Sequence, residues 1–494
     1  MTYYSTPEPR GLGKNSRTIQ SINRLIQSPW GVCMLGLRTF VAFVFSLEVV
    51  FYTFVVLYSI YVALFADDFT PMMPLFVLCY IAPSRINNPG KNPQSIFFGE
   101  TGLYLIGIVA IGVLFLLGRI IFDKEMGLRR LFTTKRTLLV GMLILGAAYF
   151  LSGILNPHYI EVAANNLRFA AIQFASIFLL YFIFSATIDW DNFDTDYFAT
   201  IGVVVGLVVS AELIWGYLIN PVVTGGIIDF SQIYTLYTGW GNKNNMGAMI
   251  TTAIPFAFYF ASRKAKPLPY FGIACFLLFA VFVSCSRTSI ITAVCIFMGA
   301  LVFTFFKCEN KLEFRLYSLL LVGAVGIVAW IFREQLGVVF SSIPSAFVFN
   351  ENSVNINDSN RVEIFQTGIN VFLNNPIFGQ SFFPIEYDEL TAVHVQYIPQ
   401  FKDIVPERWH NTIIQMLASC GIVGLAAYLY HRFDTFRLYF SKPHATNTYI
   451  GFYITTLLAM SLLDCHFFNI GPVLFYSMAL AVAEFAPETS TYDI

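Results

Sequence analysis

Apolar stretches long enough to cross a bilayer recur along this chain, separated by short polar connections. A helix needs about 20 apolar residues to span the hydrocarbon. Windows of that kind fall near 43–65, 101–122, 137–155, 169–187, 199–219, 246–262, 267–284, 288–306, 316–332, 411–430, 446–464 and 468–484. In lipid each backbone N–H and C=O must pair internally, so such windows predict helices. Segment 71–83 is apolar but short and bounded by Pro71 and Pro83, and it reads as a piece that does not cross. The pattern predicts an all-α, polytopic integral membrane protein of about 12 transmembrane helices.

Lysine and arginine in short loops set the orientation of such a bundle. They cluster in the N-terminal segment (Arg10, Lys14, Arg17, Arg24, Arg38) and in 123–136 (Lys124, Arg129, Arg130, Lys135, Arg136). Further clusters lie in 263–266 (Arg263, Lys264, Lys266), 307–315 (Lys307, Lys311, Arg315) and 431–445 (Arg432, Arg437, Lys442). All of these share one side if 71–83 does not cross, and that side is expected to be cytoplasmic, with both termini. The chain then divides into a basic cytoplasmic segment 1–42, N-terminal membrane helices in 43–245 and central membrane helices in 246–332. A large extracytoplasmic loop, 333–410, and C-terminal membrane helices, 411–494, complete it. Inside the loop Val362, Phe365, Ile369 and Phe372 repeat at helical spacing. Asn360 with Glu363 resembles a capping box, and Pro376 with Gly379 marks a stop. An amphipathic helix over 361–374, lying on the outer membrane surface, is expected.

Composition agrees with a lipid environment. Of 494 residues 56% are apolar and 12% charged, against roughly 25% charged in a soluble domain. The net charge of −1 offers no field to recruit nucleic acid. The eight cysteines form no C-x-x-C pair, so neither a zinc site nor a disulfide framework is suggested. Residues 1–40 read as polar and basic, without the short apolar core and cleavage site of a signal peptide, so an uncleaved first span is expected.

Candidate chemistry gathers on the outer face, where cations are few. Gly239-Trp240-Gly241-Asn242-Lys243-Asn244-Asn245 stands at the entrance of one span. Ser284-Cys285-Ser286-Arg287-Thr288-Ser289 forms a tight turn between two others. Arg408-Trp409-His410-Asn411 ends the large loop and leads into the run Leu417 to Leu425. In order, spacing and shared face, this set resembles the O-antigen ligase and O-antigen polymerase superfamily of bacterial membrane enzymes. The resemblance covers roughly 239–430 by motif and the first 200 residues by architecture alone. One departure is Ser419, where many members carry glutamate.

The resemblance implies transfer of a glycan from an undecaprenyl-diphosphate carrier to an acceptor hydroxyl on a lipid, a protein or another glycan. It also implies a bacterial plasma membrane, surface polysaccharide assembly and a site on the extracytoplasmic side. The residues are compatible with that chemistry. Arginine's planar fork suits phosphate, and Arg287 and Arg361 are well placed for it. Histidine can take a proton near neutral pH, which suits His410 as base. A departing diphosphate needs charge stabilisation more than a proton, so no metal or other cofactor is expected. Lys243, Asn244, Arg408, Asn411 and Arg168 are candidates for substrate contact. Each has a plainer reading: Arg287 snorkelling to headgroups, Arg361 as a surface charge, His410, Lys243 and Asn244 as helix-start chemistry. Glu212 lies inside a span and needs a partner there. Asp464 and His466 read as turn residues.

Two other functions fit parts of the pattern. Asp67-Asp68, after the first span, suit a glycosyltransferase that uses a lipid-monophosphate sugar. A transporter of lipid-linked glycans is the other, though no paired broken helices or repeats support it.

Overall fold

The computed structural model describes residues 16–78, 102–123, 127–155, 163–219, 223–224, 227–228, 243–331, 333, 361–382, 397–398, 403–404, 409–442 and 445–487. Helices dominate. Those of the first half are α1 (Arg17–Ile26), α2 (Pro29–Val44), α3 (Glu48–Phe65), the short α4 (Met72–Leu78), α5 (Gly102–Phe122), α6 (Leu128–Thr133), α7 (Leu139–Leu155), α8 (Ala163–Thr187) and α9 (Thr195–Ile219). There follow α10 (Lys243–Arg263), α11 (Leu268–Val283), α12 (Arg287–Lys307) and α13 (Lys311–Ile331), then α14 (Arg361–Asn374), α15 (Thr412–Ser441), α16 (Ala445–Leu463) and α17 (Ile470–Phe485). Two antiparallel ladders of two residues a strand, Val223–Thr224 with Ile227–Ile228 and Tyr397–Ile398 with Asp403–Ile404, leave the class all-α.

Four described stretches are long and apolar enough to cross a membrane on their own: Asn166–Thr187, Thr195–Leu218, Arg287–Lys307 and Thr412–Ser441. Large apolar side chains such as Phe279, Val302, Leu319, Leu429 and Phe433 point outward. On a soluble protein such a surface promotes association; on a bundle in lipid it is the outer wall, and the protein is an integral membrane protein. Inside, helices close on small residues, as they do where no hydrophobic force drives helices together. At Gly206 of α9 an added Cβ would stand 2.4 Å from the Cβ of Ala253 in α10.

The bundle has two chemically distinct ends. At one, Arg119 donates to Val62 O (2.6 Å) and Asp67 O (3.1 Å) and pairs with Asp123. Arg136 donates to Ser185 Oγ and Phe182 O. Lys264, just past α10, pairs with Asp196 at the start of α9, and Lys442 reaches Glu484 O. The other end holds the start of α10, the turn between α11 and α12, the start of α15 and the turn between α16 and α17. With 21 residues in α10, the ends are about 30 Å apart at 1.5 Å per residue.

Three features differ from the sequence reading. First, the segment read as a basic tail contains an apolar helix, α2. It is 16 residues long, below the length that flags a span, and it carries Arg38. That cation is answered within the fold: it lies over the Phe54 ring and donates to Val50 O at 3.4 Å. Second, the window read as 411–430 continues as helix to Ser441, with Gly421 out of helical geometry at φ 64°. Arg432, counted above as a loop cation, is therefore buried. Its guanidinium sits 4.0 Å from the Phe467 ring centre and donates to Tyr476 OH at 2.7 Å. Third, Asp67 and Asp68 lie at the basic end rather than on the face opposite it. Asp68 accepts from Asp189 N (3.0 Å), Thr70 N (3.0 Å), Thr70 Oγ1 (2.8 Å) and Gln27 Nε2 (3.2 Å). The reason is α2, a helix between the N-terminal segment and α3. α4 is a buried helix of 7 residues, too short to cross by itself.

Candidate active site

Asp464 sits in the turn between α16 and a short 3-10 helix, His466–Phe468. Its Oδ1 faces His410 Nδ1 at 3.3 Å and accepts Cys465 N–H at 2.7 Å. Its Oδ2 meets Asn244 Nδ2 at 3.5 Å, the outer limit of a hydrogen bond. Asn244 Oδ1 in turn accepts the Ser286 hydroxyl at 3.1 Å, and Ser289 Oγ donates to Ser286 Oγ at 2.8 Å. A polar chain thus runs from the Ser-Arg-Thr turn through the start of α10 to the carboxylate and on to the imidazole. Arg287, the first residue of α12, is exposed at its end.

The electrostatics favour an ionised aspartate. Burial alone would raise the Asp464 carboxyl, but the His410 hydrogen bond, the positive potential of His466 and His410, and the Cys465 N–H outweigh it. Together they hold it well below the usual carboxylate range. The partners differ in access: the His410 side chain is 37% exposed and that of Asp464 12%. With Nδ1–H donated to Asp464, the free ring nitrogen of His410 is Nε2.

Local structure explains why the histidine stands there. His410 adopts φ 49°, a left-handed conformation uncommon outside glycine. Such strain persists where the neighbours over-determine it. Asn411 follows as the N-cap of α15, its Oδ1 accepting Ile413 N (2.8 Å) and Ile414 N (3.1 Å). Asn411 Nδ2 donates to Leu462 O at 2.8 Å, tying the cap to the end of α16. These bonds hold the residue that follows His410 in place. On the other flank Trp409 is buried, and its N–H donates to Gln415 Oε1 at 3.1 Å.

The helix expected over 361–374 is present as α14. It is docked on the start of α15: a Cβ at Gly368 would meet Ile414 Cγ2 at 2.6 Å and the Trp409 ring at 3.1 Å. After it, residues 376–381 run into the break in α15. Gln380 N donates to Ala418 O, Ser381 N to Ser419 O, Ile422 N to Pro376 O and Val423 N to Ile377 O, over 2.8–3.2 Å. Gly421 has no room for a side chain, since its Cβ would lie 2.3 Å from Ile377 O. The glycine of the motif therefore opens α15 to receive the segment that follows α14. Arg361 is the first residue of α14, so its helix is fixed to the one that begins beside His410.

The other candidates fall as follows. Lys243 is the first residue of α10, next to Asn244. Arg168 is exposed in α8, five residues before Gln173, whose Nε2 donates to Phe468 O at 2.9 Å. Arg408 lies outside the described residues, as do Gly239–Asn242. Sequence reasoning passed over Asp464, Ser286 and Gln415 as site-building residues. An acid in the short break between two apolar helices was the available signal for Asp464.

A membrane bundle with a carboxylate–histidine pair at one end, beside an arginine-bearing turn, defines the class. Residues 272–429 match the family model described as O-antigen ligase. Through that segment the chain is similar to the O-antigen ligase family, and the similarity supports a glycosyl-transferring enzyme in general. The match spans α11 to the middle of α15 and includes Arg287, Arg361, Arg408, His410 and Asn411; Asn244 and Asp464 lie outside it. No curated protein matches the chain.

Proposed function

We propose that the protein transfers a glycan from an undecaprenyl-diphosphate carrier to a hydroxyl of a lipid, protein or glycan acceptor. The reaction takes place at the extracytoplasmic face of a bacterial plasma membrane, in a bundle of about 12 spans with 333–410 as the large outer loop. The observation that carries this reading is the His410–Asp464 pair at 3.3 Å, joined through Asn244 to the turn that bears Arg287.

His410 Nε2 takes the proton of the acceptor hydroxyl as that oxygen bonds to the anomeric carbon. The bond from that carbon to the carrier phosphate breaks, and the diphosphate leaves with the electron pair. Asp464 holds the imidazole in the tautomer with Nε2 free and stabilises the imidazolium that forms, as a buried carboxylate does behind a general-base histidine. Arg287 and Arg361 answer the charge of the departing diphosphate. Lys243, Asn244, Arg408 and Arg168 are assigned to the approach of donor and acceptor, and no metal is required.

The reading built on Asp67-Asp68 gains nothing from the geometry, because Asp68 is engaged with Thr70, Asp189 and Gln27 at the opposite end. The test is transfer of a lipid-linked glycan by purified protein, with and without His410→Ala and with and without EDTA. Activity that survives His410→Ala overturns the mechanism. Activity abolished by EDTA and restored by magnesium or manganese overturns its metal independence.

A further inference from the structure

Gln415 lies inside the first turns of α15 and is 2% exposed. Its Oε1 accepts Trp409 N–H at 3.1 Å and Cys465 S–H at 3.5 Å, and its Nε2 donates to Ser419 Oγ at 2.9 Å. Trp409 immediately precedes His410, and Cys465 immediately follows Asp464. One amide oxygen therefore bonds to the chain neighbours of both partners in the pair. Ser419 continues the connection, since its carbonyl accepts Ser381 N–H at 2.8 Å and the Ser152 hydroxyl.

We propose that Gln415 is the positioning residue of this site, fixing the separation of His410 and Asp464 from beneath and registering both to the segment that follows α14. The proposal rests on the reading of His410 as the base. An amide oxygen has two lone pairs and serves two donors at once, which an apolar side chain of this size cannot do. The need for a clamp is visible at His410 itself. Its left-handed φ of 49° is held on one side by the Asn411 cap and on the other by the Trp409–Gln415 bond; release of either lets the residue relax towards ordinary φ. Because Gln415 is buried and shared among three partners, its loss acts on the whole network rather than on one contact. Gln415 itself touches neither the reacting hydroxyl nor the diphosphate.

The test compares variants of the full chain in lipid nanodiscs, with a lipid-linked glycan as donor. Gln415→Leu keeps the volume and removes all three bonds. It should lower kcat about ten- to a hundredfold, the scale at which small displacements of a catalytic group act, with the donor KM within about twofold of the parent. Gln415→Glu keeps an oxygen for Trp409 N–H and Cys465 S–H, and Ser419 can turn its hydroxyl to donate; kcat should return to within about threefold of the parent. Cys465→Ala removes the weaker arm alone and should cost about two- to fivefold in kcat, which keeps the proposal testable if Gln415→Leu fails to fold. Parental kcat in Gln415→Leu, a loss in Gln415→Glu as deep as in Gln415→Leu, or a loss confined to KM overturns the proposal. His410→Ala is measured beside them. If it is dead while Gln415→Leu is unaffected, the positioning role alone fails; if it is active, the base assignment fails.

Discussion

The two ends of the bundle use the same side-chain types to opposite effect. At the basic end carboxylates are answered within the fold: Asp68 by backbone and side-chain donors, Asp196 by Lys264, and Glu484 by Thr137 N–H and the Tyr181 hydroxyl. Their cations likewise close helix ends, as Arg119 and Arg136 do. At the other end Asp464 is held as firmly, but its partner His410 is only partly buried and Arg287 stands exposed beside the same polar chain. A closed network stabilises; a network with one reactive member facing outward is equipped for chemistry. The comparison breaks if substitutions at the basic end cost as much activity as those at the site end.

The largest effect should come from His410→Ala. Removing a general base costs on the order of 10²- to 10⁴-fold in rate, while binding of the lipid-linked donor should hardly change. Donor retention on immobilised protein, measured beside transfer, separates the two. A rate near that of the parent removes the distinction between the ends.

Arg287→Ala and Arg361→Ala should follow. A charge-assisted contact to a charged group is worth roughly 1.5–3 kcal/mol, so each should lose about ten- to a hundredfold in transfer. Lysine replacements should recover only part, because the planar two-point contact is lost. Combining either with His410→Ala should cost less than the product of the single losses, as residues serving one transition state do. Full rescue by lysine argues for a headgroup contact instead.

Helix placement was legible because the apolar windows and the capping residues act locally. The helix Arg361–Asn374 followed from the spacing of Val362, Phe365, Ile369 and Phe372, an Asn-x-x-Glu start and a Pro/Gly stop. α2 escaped because 16 residues and an internal arginine fall short of a composition rule, whereas the structure supplies Phe54 and Val50 O as partners for that arginine. His410 and Arg287 could be picked out by residue type in motifs on one face. Asp464 could not: its meaning lies in a contact with a residue 54 positions away, which no local pattern encodes. Gln415 was hidden in part for the same reason, since one of its partners is a thiol 50 positions away.

Asp464→Asn sharpens the comparison by removing the charge behind the histidine while keeping the shape. Transfer should fall about tenfold to a hundredfold, the worth of a charged hydrogen bond. The pH dependence of stability gives a second readout. Because Asp464 is held below the usual carboxylate range, its folded form binds its proton later than the unfolded chain does. Its contribution is therefore full above the unfolded pKa of about 3.9 and is lost as pH falls through the depressed folded value. The difference in melting temperature between the parent and Asp464→Asn should shrink as pH falls below about 4. A difference undiminished at about pH 2 contradicts the assignment.

The smallest effect on activity should come from Asp68→Asn at the basic end. Burial raises the Asp68 carboxyl, and the Asp189 N–H and Thr70 donors pull it back. Asparagine keeps one acceptor oxygen and presents an NH2 group where the carboxylate had accepted a second set of donors. Leaving those donors unmet costs about 1–3 kcal/mol of stability, read as a lower melting temperature. Turnover of the folded fraction should stay within about twofold of the parent, since about 30 Å of helix separates Asp68 from Asp464. A glycosyltransferase working through Asp67-Asp68 predicts the reverse: a dead enzyme with little change in melting temperature. Measuring rate and melting temperature on the same preparation therefore decides which end of the bundle holds the chemistry.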